Sequence, residues 1–310
     1  TSGKSLNVTY EGLQLETDTN YFWKVRTWNK DDQASNWSDK QAFVTGSTLS
    51  DYYTARYKQT TSEISPVAVT RVDDGHYFVD FGKDAFGYIR WNVPKSVFRM
   101  GGADSTAISV VPSKTQAPSN TVEFHFGEKL ANGLIDRNPG GTIRYYQSSV
   151  TLDDSGEYEV HPPGTTVGIP IPPEFGRIAP FRYVEIVNSP FAVSENDIEQ
   201  ISVHYPFNDD AAYFACNNDN LNKVWQLCSY SMKPTSFCGV YVDGDRERKP
   251  YEADAYINQL SHYCVDREYS LARYSHEYLL FHPTWPTEWL QHSILMAWAD
   301  YMYTGNAESL

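Results

Sequence analysis

The stretch VYVDGDRERKPYEADAYINQLSHY, residues 240–263, is where the chain changes character. GVYV, residues 239–242, is β-like. From Pro250 onward Ala253, Tyr256, Ile257, Leu260 and Cys264 recur at the spacing of one helix face. Between the two patterns lie Asp243, Asp245, Glu247, Glu252 and Asp254, interleaved with Arg246, Arg248 and Lys249. The ordinary reading of such a run is a solvated charged face. Its position between a β-like segment and an apolar-faced helix argues instead for paired and placed charges. Pro250 suits the first turn of the helix that follows.

Working outward, helical spacing continues to the last residues. Leu221, Val224, Trp225, Cys228 and Met232 form an earlier face, with NND as its cap and Pro234 after it. Leu271, Tyr274 and Tyr278 follow, then Leu290, Ile294, Leu295, Trp298 and Met302. These spacings predict four consecutive amphipathic helices with short connections. Their apolar faces are expected to be covered by further helices downstream.

Upstream the chain reads as β. HYFVDFG, GYIRWNV, TAISVVP, TVEFHFGE, TIRYYQSSVTL, RYVEIVN and IEQISVHYP are short strand-like runs separated by turn clusters such as MGGAD, NPGG and DDSG. Strands without intervening helices argue for a sandwich or jelly roll over 73–205. Trp91, Phe124, Phe126 and Tyr145 suit either sugar stacking or a core, and core packing is the expectation for most of them. Residues 47–72 are polar and rich in Ser and Thr, with Tyr52, Tyr53 and Tyr57, and read as a connector with at most one short helix. In residues 1–46, Tyr21, Trp23 and Val25 alternate with Phe22, Lys24 and Arg26. Leu15, Thr19 and Tyr21 have the spacing of a tyrosine corner, in which the phenol bonds back to nearby backbone. This segment resembles the C-terminal half of a fibronectin type III domain and is expected to be a spacer.

The composition narrows the function. Across 310 residues the net charge is −14, which repels phosphate backbones and argues against a nucleic-acid partner. Aromatic residues make up 15%, which suits both sugar faces and sandwich cores. No apolar run reaches the length needed to span a membrane. Cys216, Cys228, Cys238 and Cys264 form no C-x-x-C pair, so buried free thiols are expected rather than zinc. Asn7 and Asn36 match glycosylation sequons, a pattern that recurs by chance. Neither a metal nor another cofactor is expected.

For the charged stretch, two chemistries compete with a plain surface. Asp243, Asp245, Glu247 and Asp254 fall at positions one, three, five and twelve of an EF-hand loop. Position six, however, holds Arg248 where that loop requires Gly, and Arg246 and Lys249 add positive charge. The other chemistry is acid–base catalysis on sugars, which needs one protonated carboxyl and a second ionised one. Neighbouring carboxylates raise the pKa of one member while guanidiniums keep others ionised. From the residues alone, glycoside cleavage is one candidate among acid–base reactions. His262, His276, His282 and His292 show no ligand spacing and read as structural.

DGDRERKPYEADAYINQLSHY, with DREYSLARYSHEYLLFHPTWPTEW and AWADYMYTGN, resembles the start of the catalytic domain of bacterial α-L-rhamnosidases. Their usual motif runs D-C-P-x-R-D-E-R-x-G-W-T-G-D and leads into a helix. FHFGEKLANGLIDRNPGGTIRYYQ and FRYVEIVN resemble the β-sandwich that precedes the barrel in those enzymes. The resemblance covers most of 73–310. It implies a partial fibronectin type III-like sandwich at 1–46, a jelly-roll-like sandwich at 73–205, and the N-terminal portion of an (α/α)6 barrel at 206–310.

The resemblance also implies roles. Counting back from Asp254 places Glu247 on the general acid and Arg248 on the arginine that follows it. Asp243 matches the first aspartate and Asp254 the last, both ligands of rhamnose hydroxyls. Arg246 takes the place of the motif's arginine, Tyr251 stands where the family has Trp, and Trp289 matches a later subsite tryptophan. The segment from Asp243 to Glu247 is two residues shorter than the usual pattern. Glu252 and Asp245 have no counterpart and read as local salt-bridge partners. The implied activity is inverting hydrolysis of α-L-rhamnosyl linkages, with a rhamnose-containing glycan or glycoside as partner and an extracytoplasmic location. The family's general base lies later in the barrel, so these residues alone are expected to be inactive. The alternatives are a carbohydrate-binding or surface protein without turnover, and a barrel glycosidase of another sugar specificity.

Overall fold

The computed structural model describes residues 10–46, 58–94, 120–153, 155–164 and 168–310. The predicted strand TAISVVP, the MGGAD turn, Asn7, and the connector over 47–57 lie outside them. The chain forms two compact units, one of Lys58–Pro250 and one of Thr1–Tyr57 with Tyr251–Leu310.

In the first 46 residues two short strands, β1 (Asn20–Trp23) and β2 (Gln41–Val44), pair antiparallel with Asn20 opposite Val44. The Tyr21 phenol oxygen accepts the Glu16 backbone N–H at 2.7 Å, which is the bond a tyrosine corner makes. Tyr21 also stacks on Phe43 at 5.7 Å between centroids. Arg26 lies 4.9 Å from the Trp28 ring and 4.7 Å from the Trp37 ring, a guanidinium held between two indoles.

The unit of residues 58–250 is built on an eight-stranded antiparallel sheet. Its strands are β3 (Thr60–Ile64), β4 (Ala68–Asp73), β5 (His76–Asn92), β6 (Thr121–Gly127), β9 (Tyr145–Thr151), β10 (Glu157–Val160), β11 (Ala179–Val187) and β12 (Ile198–His204). A small hairpin, β7 (Leu130–Ala131) and β8 (Leu134–Ile135), lies outside it. The path runs β3-β12-β5-β11-β6-β9, and β5 also takes β4 and β10 as partners. Residues 76–80 of β5 pair with β4, residues 77–87 with β11, and residues 87–92 with β12 and β10. One long strand thereby serves both halves of the fold.

Period-two alternation explains the core. Tyr77, Val79 and Phe81, then Ile89 and Trp91, all point inward from β5 against Phe124 and Phe126 of β6 and Val184 and Ile186 of β11. Each such side chain contributes roughly 1.5–3 kcal/mol on burial. Trp91, Phe124 and Phe126 are therefore core residues, as expected, and not sugar platforms. The register needs Gly87, where an added Cβ would lie 1.9 Å from the Ile201 carbonyl oxygen.

One element departs from the sequence reading. Residues 60–64 and 68–73, taken there as connector, form β3 and β4. β3 lies at the end of the strand path, and among the described residues it pairs with β12 alone. Thr and Ser are compatible with such an edge, and this hides the strand from an apolar pattern.

Helix α1 (Asp219–Met232) follows the sheet in the same unit. The Asn218 side chain accepts the backbone N–H groups of Asn220 and Leu221, the cap that NND predicts. Of its apolar positions only Met232 is buried, while Leu221, Val224 and Leu227 are exposed. Beyond it, the segment 230–250 is fastened to the sheet. The Tyr230 phenol donates to the Asp84 carbonyl at 2.8 Å, and Ser236 Oγ accepts the Tyr205 N–H at 3.0 Å. Phe237 stacks face to face on Phe86 at 3.7 Å.

Residues 251–310 form α2 (Glu252–Val265), α3 (Ser270–Phe281) and α4 (His292–Thr304). The buried apolar positions, Ala255, Leu271, Leu279 and Met296 among them, match the expected stripe only at Leu271. Ile257, Cys264, Leu290, Ile294, Leu295, Trp298 and Met302 are all exposed. A polar network ties these helices together beside those residues. Buried Asp300 accepts from the Tyr263 phenol at 2.8 Å, from Arg273 Nε at 2.9 Å and from Asn306 Nδ2 at 3.0 Å. Gln259 donates to the Met296 carbonyl at 3.0 Å. Burying these groups is tolerable where partners answer them, as they do for Asp300, while Gln259 Oε1 has no hydrogen-bond partner among the described residues.

The cysteine expectation holds in part. None of the four cysteines is in a disulfide, but Cys228 and Cys264 are exposed and only Cys238 is buried. No helix among the described residues is long and apolar enough to cross a membrane.

Candidate functional site: the loop carrying Glu247

Between Val242 and Pro250 the chain makes a closed loop. The Asp243 N–H donates to the Lys249 carbonyl at 3.0 Å, and the Lys249 N–H donates to Asp243 Oδ1 at 3.1 Å. Inside this clasp the backbone turns through two left-handed positions, Gly244 at φ 110° and Arg248 at φ 50°. A non-glycine residue in that region is sustained only where its surroundings fix it.

Arg248 is fixed on every side. Its side chain is 2% exposed. Nε and Nη2 donate to Asp245 Oδ1 at 3.0 and 2.8 Å, and Nη2 also donates to the Ile178 carbonyl at 3.0 Å. The guanidinium lies 5.2 Å from the Phe237 ring and 6.0 Å from the Phe86 ring. Its own carbonyl accepts the Ile169 N–H at 2.8 Å. Gly168 lies close beneath the same backbone, and a Cβ there would come within 2.3 Å of the Glu247 carbonyl oxygen and 2.4 Å of that of Arg248.

Asp245 is the second anchor. Its Oδ1 faces Arg248, and its Oδ2 accepts from Arg144 Nε at 2.8 Å. Arg144 in turn donates its backbone N–H to Glu128 at 2.6 Å. The carboxylate holds the Arg144 guanidinium pKa above its ordinary value. Nearby Tyr146 has its phenol pushed up to about 12, by burial first and by Asp245 second.

The residues between the two anchors point outward. Arg246 is 63% exposed and Glu247 35% exposed, with Arg246 Nη2 lying 3.0 Å from Glu247 Oε1 and 4.0 Å from Asp243 Oδ2. A pair this exposed is weak. Asp245 is answered by two guanidiniums, so it is not placed to hold a calcium ion. Among the described residues no group of three or more acids, histidines or cysteines is arranged around a common metal position.

Tyr251, Asp254 and Trp289 belong to the helical unit. Tyr251 is the N-cap of α2, immediately after Pro250, and Asp254 lies in its first turn, where a carboxylate suits the positive end of the helix. Trp289 packs edge-to-face against Tyr251 at 5.7 Å. Two of the residues expected to bind sugar thus form one aromatic corner. Glu252, read from the sequence as a salt-bridge partner, is wholly buried and accepts from the backbone and hydroxyl of Thr284, so it tethers the start of α2 by hydrogen bonds. Asp245, read the same way, is indeed ion-paired.

Sequence reasoning missed Arg144, Gly168, Ile178 and the Phe86–Phe237 stack. Nothing local marks them, because each meets the loop only through the fold of the sheet.

A second polar feature of the same unit is a cleft of about 980 Å³ lined by Asp84, Glu128, Arg182, Tyr183, Gln226 and Tyr230, among others. Asp84 and Glu128 share a hydrogen bond there. Burial first, and then the Glu128 charge, push the Asp84 carboxyl up to about 8. Burial raises Glu128 as well. The pair therefore holds one proton.

Residues 209–310 match the family model described as the bacterial alpha-L-rhamnosidase six-hairpin glycosidase domain. Residues 1–48 match the Rha78A-like N-terminal immunoglobulin domain. Over these segments the chain is similar to bacterial α-L-rhamnosidases. The sandwich at its start is thus of immunoglobulin type, where the sequence reading had taken the related fibronectin architecture.

Two proteins of Formosa agariphila described as alpha-L-rhamnosidase are 51% and 47% identical over 45 residues, which is 14% of this chain and 5% of each relative. Among solved structures, the alpha-L-rhamnosidase of Dictyoglumus thermophilum aligns with TM-score 0.54 at 16% identity, over 79% of this chain and 26% of that one. The rhamnosidase of Klebsiella oxytoca, solved with rhamnose bound, aligns with TM-score 0.51 at 16% identity, over 82% of this chain and 53% of that one. These likenesses show the rhamnosidase fold, a β-sandwich unit leading into helices of the six-hairpin domain.

Proposed function

We propose that the protein hydrolyses terminal α-L-rhamnosyl linkages in glycans or rhamnosides with inversion, and that Glu247 is the general acid. The observation that carries this reading is the loop itself. Two anchored residues, Asp245 and Arg248, bracket Arg246 and Glu247 and leave Glu247 on the outer side of a fixed backbone. A general acid needs that placement, because proton donation depends on a defined approach to the glycosidic oxygen.

Glu247 protonates the departing oxygen as the bond to the anomeric carbon breaks. A second carboxylate activates water on the opposite face, roughly 6.5–9.5 Å away in inverting enzymes. That base is expected from a later part of the helical domain, so these 310 residues alone are expected to show no turnover. Asp243, Arg246, Tyr251, Asp254 and Trp289 are assigned to the sugar, the acids and Arg246 to hydroxyls and the two rings to its apolar face. Arg246 must release Glu247 when substrate binds, which its exposure makes inexpensive. An immunoglobulin-type module and a glycan substrate fit an extracytoplasmic location.

The test is Glu247→Gln in the complete enzyme. Turnover of a natural α-L-rhamnosyl disaccharide is expected to fall by about 10²–10⁴-fold, the contribution of a positioned acid. An aryl rhamnoside with a good leaving group is expected to lose far less. Proton NMR of the first-formed sugar is expected to show the inverted anomer. Near-native turnover of the disaccharide by the variant would remove Glu247 from the role.

A further inference from the structure

We propose that Asp245 is a positioning residue for Glu247, held between Arg144 and Arg248 so that the loop presents the acid in one orientation. The inference rests on the reading of Glu247 as the general acid and adds to it the device that aims it.

The geometry argues for a mount rather than an incidental ion pair. Asp245 and Arg248 stand three residues apart at the two feet of the loop and bond each other through Oδ1 at 2.8–3.0 Å. Arg246 and Glu247, the two residues between them, are 63% and 35% exposed. Oδ2, the other oxygen of the same carboxylate, is taken by Arg144 at 2.8 Å. The loop is thereby joined to the segment that leads into β9, a part of the sheet unit remote in sequence. Asp245 is 9% exposed and Arg248 2% exposed, so both charges are desolvated and depend on each other.

The remaining bonds restrain the same body. The Ile178 carbonyl and the Phe237 face hold the guanidinium, Ile169 holds the Arg248 carbonyl, and Asp243 clasps Lys249. Together these restraints fix the loop backbone that carries Glu247. Shortening the loop suits this design, since fewer residues between the feet leave fewer conformations to exclude.

The role predicts a leaving-group signature that a merely structural residue lacks. Asp245→Asn removes the charge that holds both guanidiniums and lets the Glu247 backbone wander. In the complete enzyme, kcat on a rhamnosyl disaccharide is expected to fall about 10- to 100-fold, part of the contribution of a positioned acid. On an aryl rhamnoside with a good leaving group kcat is expected to change by less than about 3-fold, because little acid help is needed there. KM is expected to stay within the same factor for both. Arg144→Lys, which keeps the charge and loses the guanidinium geometry, is expected to show the same pattern more weakly, and it serves as the readout if the Asn variant does not fold. Asp245→Glu is expected to recover part of the disaccharide activity.

Equal losses on both substrates, or none on the disaccharide, would overturn the proposal. Glu247→Gln measured alongside separates its failure from that of the parent reading. If the Gln variant shows the leaving-group signature and the Asn variant does not, the acid stands and the mount falls. If the Gln variant lacks the signature, both fall.

Discussion

Arg144 and Asp245 are 101 residues apart in the chain, and their side chains meet at 2.8 Å. This one ion pair joins the segment entering β9 to the loop that carries Glu247. Its consequence is structural before it is chemical, since removing either partner leaves a desolvated charge behind.

Arg144→Ala is therefore expected to lower the stability of the 310-residue chain by about 1–3 kcal/mol. Arg144 is part-exposed, so the cost lies below the 3–5 kcal/mol typical of breaking a fully buried pair. A double-mutant cycle with Asp245→Asn in urea is expected to give a coupling well above the few tenths of a kcal/mol seen for independent sites. Additivity would show that the pair contributes nothing.

Gly168 sets the floor beneath the loop. Gly168→Ala places a methyl against the carbonyl oxygens of Glu247 and Arg248 and also forces a side chain into φ +81°. We expect a loss of about 2–4 kcal/mol from strain and overlap together. Gly133 has nearly the same dihedral, φ +83°, with nothing within 4 Å of an added Cβ. Gly133→Ala is expected to cost about 1 kcal/mol. Equal chemical denaturation midpoints for the two variants would refute the contact.

The Asp84–Glu128 pair predicts a pH dependence. An unfolded Asp titrates near 3.9, and Asp84 in the fold is raised to about 8. The native state thus binds a proton that the unfolded chain gives up. The stability this contributes is complete below about pH 4 and is lost progressively as pH rises toward 8. Asp84→Asn keeps a donor toward Glu128 and cannot ionise. Between pH 5 and 9 the melting temperature of the parent chain is expected to fall several degrees further than that of the variant, as a linkage effect of about 1 kcal/mol or more produces. Parallel curves would mean that Asp84 carries no shared proton.

In the helical unit, polar bonds are expected to outweigh the exposed apolar stripe. Asp300→Ala strands Arg273, Asn306 and the Tyr263 phenol, at an expected cost of about 3–5 kcal/mol in the 310-residue chain. Ile294 is 71% exposed, and Ile294→Ala is expected to stay within about 0.5 kcal/mol. Thermal unfolding of the two variants under one buffer distinguishes them directly.

The amino-acid sequence by itself determined the order of the architecture. Alternation in HYFVDFG and TVEFHFGE sets which side chains of β5 and β6 face inward, and three- and four-residue spacing marks four helices. Asn218 is legible as a cap and Tyr21 as a corner because their partners lie within a few residues. The run from Asp243 to Asp254 is legible as a candidate site because its charges are adjacent in the chain.

Only the tertiary structure decided how those charges are used. It gave Asp245 to Arg144 and Arg248, buried Glu252 against Thr284, and left Arg246 exposed beside Glu247. It also made strands of Thr60–Ile64 and Ala68–Asp73 and left Ile294, Leu295, Trp298 and Met302 of α4 exposed while burying Met296. The reason is the range of the forces that leave a trace in sequence. Periodicity and capping act within a turn or a strand, whereas an ion pair across 101 residues exists only once the sheet's register has brought its two halves together.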